Sequence, residues 1–198
     1  FTLMSIRLGL ISLGCAKNLV DSEHMLAQLA EAGVTIVDDV AEADVAVINT
    51  CGFIESAKQE AIQTILETAE LKKSGQLKAL IVTGCLVQRY PEEITEEMPE
   101  IDAVLGTGSY TNIVDAVRAV MQAPGTVYRN FGQIDEAEME GGRILLTPGY
   151  SAYLKIAEGC NNHCAYCVIP KLRGKFRSRP MEDILEEARA MAAAGVRE

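Results

Sequence analysis

Near the carboxyl end, the run Gly159-Cys160-Asn161-Asn162-His163-Cys164-Ala165-Tyr166-Cys167 sets three thiols at CxxxCxxC spacing. One tight loop can then close around a single soft metal centre, because thiolate is the ligand that iron–sulfur clusters and zinc select. The number three matters. A [4Fe–4S] cube offers four irons, so three thiolates leave one corner open for a small molecule, whereas structural zinc takes four closed ligands. His163 could serve as the fourth, but it adjoins Cys164 and would have to turn back against its neighbour. A zinc knuckle, a disulfide and plain buried thiols are the competing readings. The spacing favours an open-cornered cluster.

Ahead of that loop, short apolar runs alternate with helical patterns, the signature of a parallel sheet with crossover helices. Strands are expected at Leu8 to Leu13, Val34 to Val37, Val45 to Ile48, Ala79 to Val82 and Ala103 to Leu105. A first helix capped by Asp21 or Ser22 should place Met25, Leu26, Leu29 and Ala30 on one face and end at Gly33. Further helices are expected over Ser56 to Lys73 and Asn112 to Met121. The fold class is therefore α/β: an open parallel sheet with helices on both faces over residues 1–123, and a connection over 124–150. Residues 151–198 begin a second unit with a strand at Ala152 to Ile156, the thiol loop, and a helix opened by Pro180. One strand–loop–helix unit cannot bury its own apolar face, so this second domain is expected to be incomplete. Phe1 to Leu3, ahead of Met4, are read as foreign to the natural chain.

The other three thiols follow strands. Cys15, Cys51 and Cys85 come directly after the first, third and fourth, and each has a glycine beside it: Gly14, Gly52 and Gly84. Parallel strands present their carboxyl ends on one edge, where open α/β sheets bind ligands. The three sulfurs are thus predicted to converge, with glycines admitting a bulky group. Cysteine is also a common buried residue, but three of them at strand ends beside glycine favour a second cluster.

Charge is divided unevenly. Residues 1–150 carry 10 basic and 22 acidic side chains, and residues 151–198 carry 8 and 6, within a total of −10. The acidic front argues against broad nucleic-acid binding through that face. Six cysteines without a signal peptide read as metal ligands in a reducing, cytoplasmic setting. Leu8 to Leu13 before Gly14-Cys15 is too short for a lipoprotein leader, and no stretch has membrane-spanning length.

CxxxCxxC with Tyr166 before its last cysteine resembles the signature of radical S-adenosylmethionine (SAM) enzymes. The text from Ala157-Glu158-Gly159-Cys160 to Cys167-Val168-Ile169-Pro170, then Arg173-Gly174 and Arg177-Ser178-Arg179, is similar to their methylthiotransferase branch. The resemblance implies that Cys160, Cys164 and Cys167 hold a [4Fe–4S] cluster whose open iron binds SAM, with Tyr166 placing its backbone by the adenine. It also implies a second [4Fe–4S] cluster on Cys15, Cys51 and Cys85, continuation into a partial (β/α) barrel, and a reducing donor such as a flavodoxin. Ser12-Leu13-Gly14-Cys15-Ala16-Lys17-Asn18-Leu19-Val20-Asp21-Ser22-Glu23 and Asn49-Thr50-Cys51-Gly52-Phe53-Ile54 look like the branch acting on an aspartate of ribosomal protein S12. The branch acting on tRNA adenosine usually shows Gln-Met-Asn at Ala16-Lys17-Asn18. A non-catalytic iron–sulfur or zinc protein is the competing class, and the 198 residues alone are expected to be inactive.

Lys171, Arg173, Lys175, Arg177 and Arg179 concentrate five charges in nine residues. Beside a thiolate cluster and the SAM carboxylate, Arg173, Arg177 and Arg179 would stabilise bound negative charge; Lys171 and Lys175 suit a solvated loop. Gly106-Thr107-Gly108 lacks the rest of a dinucleotide fingerprint and reads as a turn. His24 reads as solvated or capped, Glu92 to Glu100 as a solvated acidic helix or turn, and Asp135 to Glu140 as an exposed linker. Asn18, Asp21 and Glu55 read as structural residues near the predicted cluster edge.

Overall fold

The computed structural model describes residues 3–137, 139 and 141–198. Phe1, Thr2, and Glu138 and Glu140 of the acidic stretch lie outside those residues. Six parallel strands form one sheet: β1 (Arg7–Ser12), β2 (Thr35–Val37), β3 (Val45–Thr50), β4 (Ala79–Gly84), β5 (Ala103–Leu105) and β6 (Tyr128–Asn130), in the order β2-β1-β3-β4-β5-β6. Every residue of β3 and β4 is buried, as expected of strands covered on both faces. Their side chains alternate between two cores. Val45, Val47, Ala79 and Ile81 face one, and Ala46, Ile48, Leu80 and Val82 the other.

Helix α1 (Ala16–Glu31) and α5 (Ile113–Gln122) cover the first core with Met25, Leu29, Ile113, Val117 and Val120. On the opposite face lie α2 (Glu55–Lys73), α3 (Cys85–Arg89) and α4 (Pro91–Glu97), burying Ala61, Ile65, Ala69, Leu86 and Ile94. The strand order reverses between β1 and β3, so a crevice opens at their carboxyl ends, the switch point where such sheets take ligands.

Three expectations are corrected. Helix α1 begins at Ala16 with Cys15 as its N-cap, so Asp21 and Ser22 lie in its second turn and cap nothing. The sheet takes its edge strand β6 from the stretch read as a connection, pairing with β5 from Ala103↔Tyr128 to Leu105↔Asn130. Ala152 to Ile156 is not a strand. Instead β7 (Ala157–Glu158) pairs antiparallel with β8 (Arg177–Ser178), between α6 (Ile169–Arg173) and α7 (Met181–Ala193). A ladder needs a run of paired neighbours, and this segment's backbone bonds are split between two partners: Glu198 N–H donates to Tyr150 O and Ala152 N–H to Glu198 O, the pattern of a parallel pair around Ser151, while Arg179 N–H donates to Ile156 O. No helix among the described residues is long and apolar enough to cross a membrane.

His24 is buried rather than solvated. Its Nδ1 lies 3.0 Å from Gly142 O, so Nδ1 carries the proton, and its ring stacks on Tyr110. Burial depresses its pKa; the Gly142 carbonyl and Asp21 oppose this and the charges of Arg143 and Lys155 add to it. The unfolded chain then binds the extra proton, so this contribution is complete above the ordinary value of 6.5 and is lost as pH falls below it. Urea titrations between pH 7 and pH 5 are expected to show falling stability, with a shallower fall in His24→Gln. In the core, Ile81→Ala is expected to cost about 3–4 kcal/mol by the same titration.

Candidate metal centre

The carboxyl ends of β1, β3 and β4 are laced together by polar side chains. Asn18 Nδ2 donates to Leu13 O (3.0 Å) and Thr50 O (2.8 Å), and Asn49 Nδ2 donates to Asn18 O (2.8 Å) and Ser22 Oγ (3.0 Å). Thr50 Oγ1 donates to Thr83 O at 2.6 Å. Cys15, Cys51 and Cys85 all leave this edge, as their strand-end positions predict. A Cβ on Gly14 would lie 2.6 Å from the Cys51 Cβ and 3.2 Å from its Sγ. A Cβ on Gly52 would lie 2.7 Å from the Leu86 Cα, and one on Gly84 2.5 Å from Thr50 O. These glycines allow the three cysteine-bearing turns to crowd together. Gly84 also has φ 97°, a left-handed backbone that penalises any side chain.

Cys15 is exposed, Cys51 half-buried and Cys85 buried. Burial pushes the Cys85 thiol up, and the neighbouring Cys51 and Cys15 add to this, while Arg173 opposes it by charge and by hydrogen bonding. Cys85 Sγ lies 3.8 Å from Asn18 Oδ1, which also accepts from Arg173 Nη2.

The second triplet sits on a loop closed against the segment after α6. Cys160 N–H donates to Gly174 O (3.0 Å), Phe176 N–H to Asn161 Oδ1 (2.9 Å) and Cys167 N–H to Cys164 O (3.0 Å). A Cβ on Gly159 would lie 2.0 Å from Lys175 O, so the closure requires glycine there. Cys160 and Cys167 are half-buried, Cys164 is exposed, and Tyr166 is 90% exposed. Among the described residues no three His, Cys, Asp or Glu side chains converge on one metal ion. A cube asks for something else, because each thiolate binds its own iron. Soft donors, side-chain-free turns and an exposed thiol in each set fit that kind of group.

The three arginines are differently employed. Arg173, 5% exposed, turns toward the first triplet, with Nη1 at 2.5 Å from Asp21 Oδ2 and 3.3 Å from Glu158 Oε2. Arg179 Nη1 pairs with Glu187 and donates to Lys155 O (2.9 Å). Arg177 Nη1 stands 3.8 Å from Asp135, and its terminal nitrogens are buried without a hydrogen bond. Asp135 also accepts from Lys175 N–H (2.7 Å), so the supposed linker holds the basic loop. The turn at Thr107 docks likewise, its Oγ1 donating to Leu172 O at 2.5 Å.

Sequence reasoning missed the buried ion cluster at the junction of the two units. Lys155 Nζ lies 2.5 Å from Asp21 Oδ1 and 3.1 Å from Glu158 Oε2, and Lys17 Nζ 3.0 Å from Glu158 Oε1. Its trace in the sequence is the polar trio Asn18, Asp21 and Ser22, whose i, i+3, i+4 spacing puts them on one face of the helix. Burial alone would raise the Glu158 pKa, but Arg173, Lys155, the Gly159 N–H and Lys17 together hold it at about 2. Glu158→Gln leaves buried cations under-compensated and is expected to cost about 3 kcal/mol in urea unfolding. Gly84→Ala is expected to cost at least about 1 kcal/mol from backbone strain alone.

Residues 7–106 match the model of a family described as uncharacterized protein family UPF0004, and residues 154–198 match the radical SAM superfamily. The chain is 54% identical over 193 residues to the ribosomal protein uS12 methylthiotransferase RimO of Clostridioides difficile, covering 98% of this chain and 43% of the relative. It is 53% identical over 191 residues to the RimO of Desulforamulus reducens (96% and 43%) and 50% identical over 193 residues to that of Geobacter sulfurreducens (97% and 43%). The chain spans less than half the length of these curated relatives. In fold it resembles the radical SAM methyltransferase TsrM of Kitasatospora setae, solved with tryptophan substrate and a SAM analogue, with a TM-score of 0.65 at 14% identity over 97% of this chain and 46% of that one. Matched by the first of those family models over residues 7–106, just over half of its length, the chain belongs to the family described as UPF0004, with a radical SAM superfamily segment at residues 154–198.

Proposed function

We propose that this chain is the cofactor-holding part of an enzyme that adds a methylthio group to the β-carbon of an aspartate in ribosomal protein uS12. What supports it best is the placement of Cys15, Cys51 and Cys85 after the ends of β1, β3 and β4 and of Cys160, Cys164 and Cys167 on one loop, in a chain 54% identical to a protein named for that activity. Cys15, Cys51 and Cys85 would hold one [4Fe–4S] cluster and Cys160, Cys164 and Cys167 another. Bound there, the clusters would supply a sulfur site and the electron that cleaves SAM into a hydrogen-abstracting radical.

The chain's own residues bind, orient and shield. An unactivated C–H bond offers no proton for a side-chain base, so positioning is what the protein contributes. Tyr166 projects from the second loop and would set its backbone beside the adenine of SAM. Arg177 keeps hydrogen-bonding capacity for the SAM carboxylate. Arg173 and Arg179 would act there through the loop they anchor, since their guanidinium groups are engaged with carboxylates. A reducing donor such as a flavodoxin would deliver electrons in the cytoplasm.

Anaerobic reconstitution of the full-length protein is expected to give about eight irons per chain. Replacing either cysteine triplet by alanine should remove about half. Zinc in place of iron at Cys160, Cys164 and Cys167 would end the enzyme reading. With SAM and reductant, the full-length enzyme should add a methylthio mass to uS12; a gain on tRNA alone would move the assignment to the tRNA branch. No turnover is expected from these 198 residues by themselves.

A further inference from the structure

The first triplet lies in the sheet domain, yet the buried cation facing it comes from the second unit. Arg173 ends α6, whose N-cap is Val168, and is separated from Asn18 by 155 positions. Its Nη2 donates to Asn18 Oδ1, the same oxygen that lies 3.8 Å from Cys85 Sγ. Its Nη1 is braced by Asp21 and Glu158, which are themselves held by Lys155. Arg173 is therefore fixed in orientation from behind, with one edge of its guanidinium turned to the strand ends that carry the thiols.

Counting charges around it sharpens the point. Arg173 and Lys155 balance Asp21 and Glu158, and Lys17, half-exposed, adds one more positive charge. The cluster as a whole is one anion short, and Arg173 shares the Asn18 oxygen with the Cys85 sulfur, 3.8 Å from it. An iron–sulfur cube on thiolates is itself anionic, and its reduction adds a further negative charge. A fixed guanidinium beside one of its ligands would stabilise both.

We propose that Arg173 is a positioning residue for the first triplet: through Asn18 and Cys85 it orients the buried ligand and electrostatically favours the reduced state of a cluster bound at Cys15, Cys51 and Cys85. This rests on those three cysteines being cluster ligands. The second unit thus completes the first unit's site, while Cys160, Cys164 and Cys167 on the same unit serve their own.

The test uses full-length protein carrying Cys160→Ala, Cys164→Ala and Cys167→Ala, so that only the first site can load. Removing Arg173 alone would strand Asp21 and Glu158, so the comparison is between Asp21→Asn and the double change Asp21→Asn with Arg173→Gln. The readouts are iron per chain and the midpoint potential followed by visible absorption and electron paramagnetic resonance. Loss of the guanidinium should make the potential more negative, and Arg173→Lys in the same background should restore part of the shift. Failure of the Gln variant to load iron, with an unfolding midpoint equal to that of Asp21→Asn, would also support the role. Equal iron and equal potential in both would overturn it while leaving the cluster intact. Absence of iron from the parent triple variant would instead overturn the assignment of Cys15, Cys51 and Cys85, and this inference with it.

Discussion

Two carboxylates and two cations buried against each other, Asp21 and Glu158 with Arg173 and Lys155, hold the sheet domain and the thiol loop in one relation. Their segments are up to 152 positions apart in the chain, so no local preference brings them together. Ions taken from water lose hydration that their mutual attraction only partly returns, and such a cluster is a poor source of net stability compared with apolar packing. Its effect is selective. Any other docking of the second unit on α1 would leave a charge buried alone, and that penalty is large.

Everything at the switch point leans on this arrangement. Asn18 spans the ends of β1 and β3 with its amide N–H groups and offers its oxygen to Arg173, so the residue that sets the spacing of the strand ends is itself set by the second unit. A second, smaller cluster works the same way, with Arg143 shared between Glu23 of α1 and Glu187 of α7 and Arg179 joined to Glu187. Helix α1 is thus polar on the face where helices of open sheets are usually solvated, and that face is buried: Asn18, Asp21, Ser22, Glu23 and His24 are all inaccessible. The glycines at the sheet edge complete the design, since a Cβ at Gly14 or Gly84 would push apart the turns that the polar lacing draws together.

What was legible in the sequence follows from range. The strands β3, β4 and β5 are continuous apolar runs because both faces are covered, and their positions are readable to within two residues. The strand-end cysteines are readable because parallel strands end on one side. What depended on distant partners was not readable. Asp21 and Ser22 carry the chemistry of helix caps, but Lys155 and Arg173, more than 130 positions away, enclose Asp21, and Ser12 and Asn49 on neighbouring strands take up the Ser22 hydroxyl. His24 lacked any local sign of burial for the same reason. The basic loop suggested anion binding, yet Arg173 and Arg179 find carboxylates on α1 and α7. β6 is Tyr128-Arg129-Asn130 at the sheet edge, only partly buried, and lacks the apolar run that marks β5, which is just as short.

In most domains thiols are interior and charges are solvated. Here the distribution is partly inverted: Cys15 and Cys164 are exposed and Tyr166 beside Cys167 almost wholly so, while Asp21, Glu158, Lys155 and Arg173 are buried. Burying four ions costs free energy that packing alone would not require, and exposing soft sulfur forgoes burial that cysteine ordinarily finds. Both departures make sense if the molecule is organised around sulfur-bound groups rather than around its own core. On that reading the ions would fix the frame that receives large anionic groups, and the exposed thiols would leave room for them at its surface.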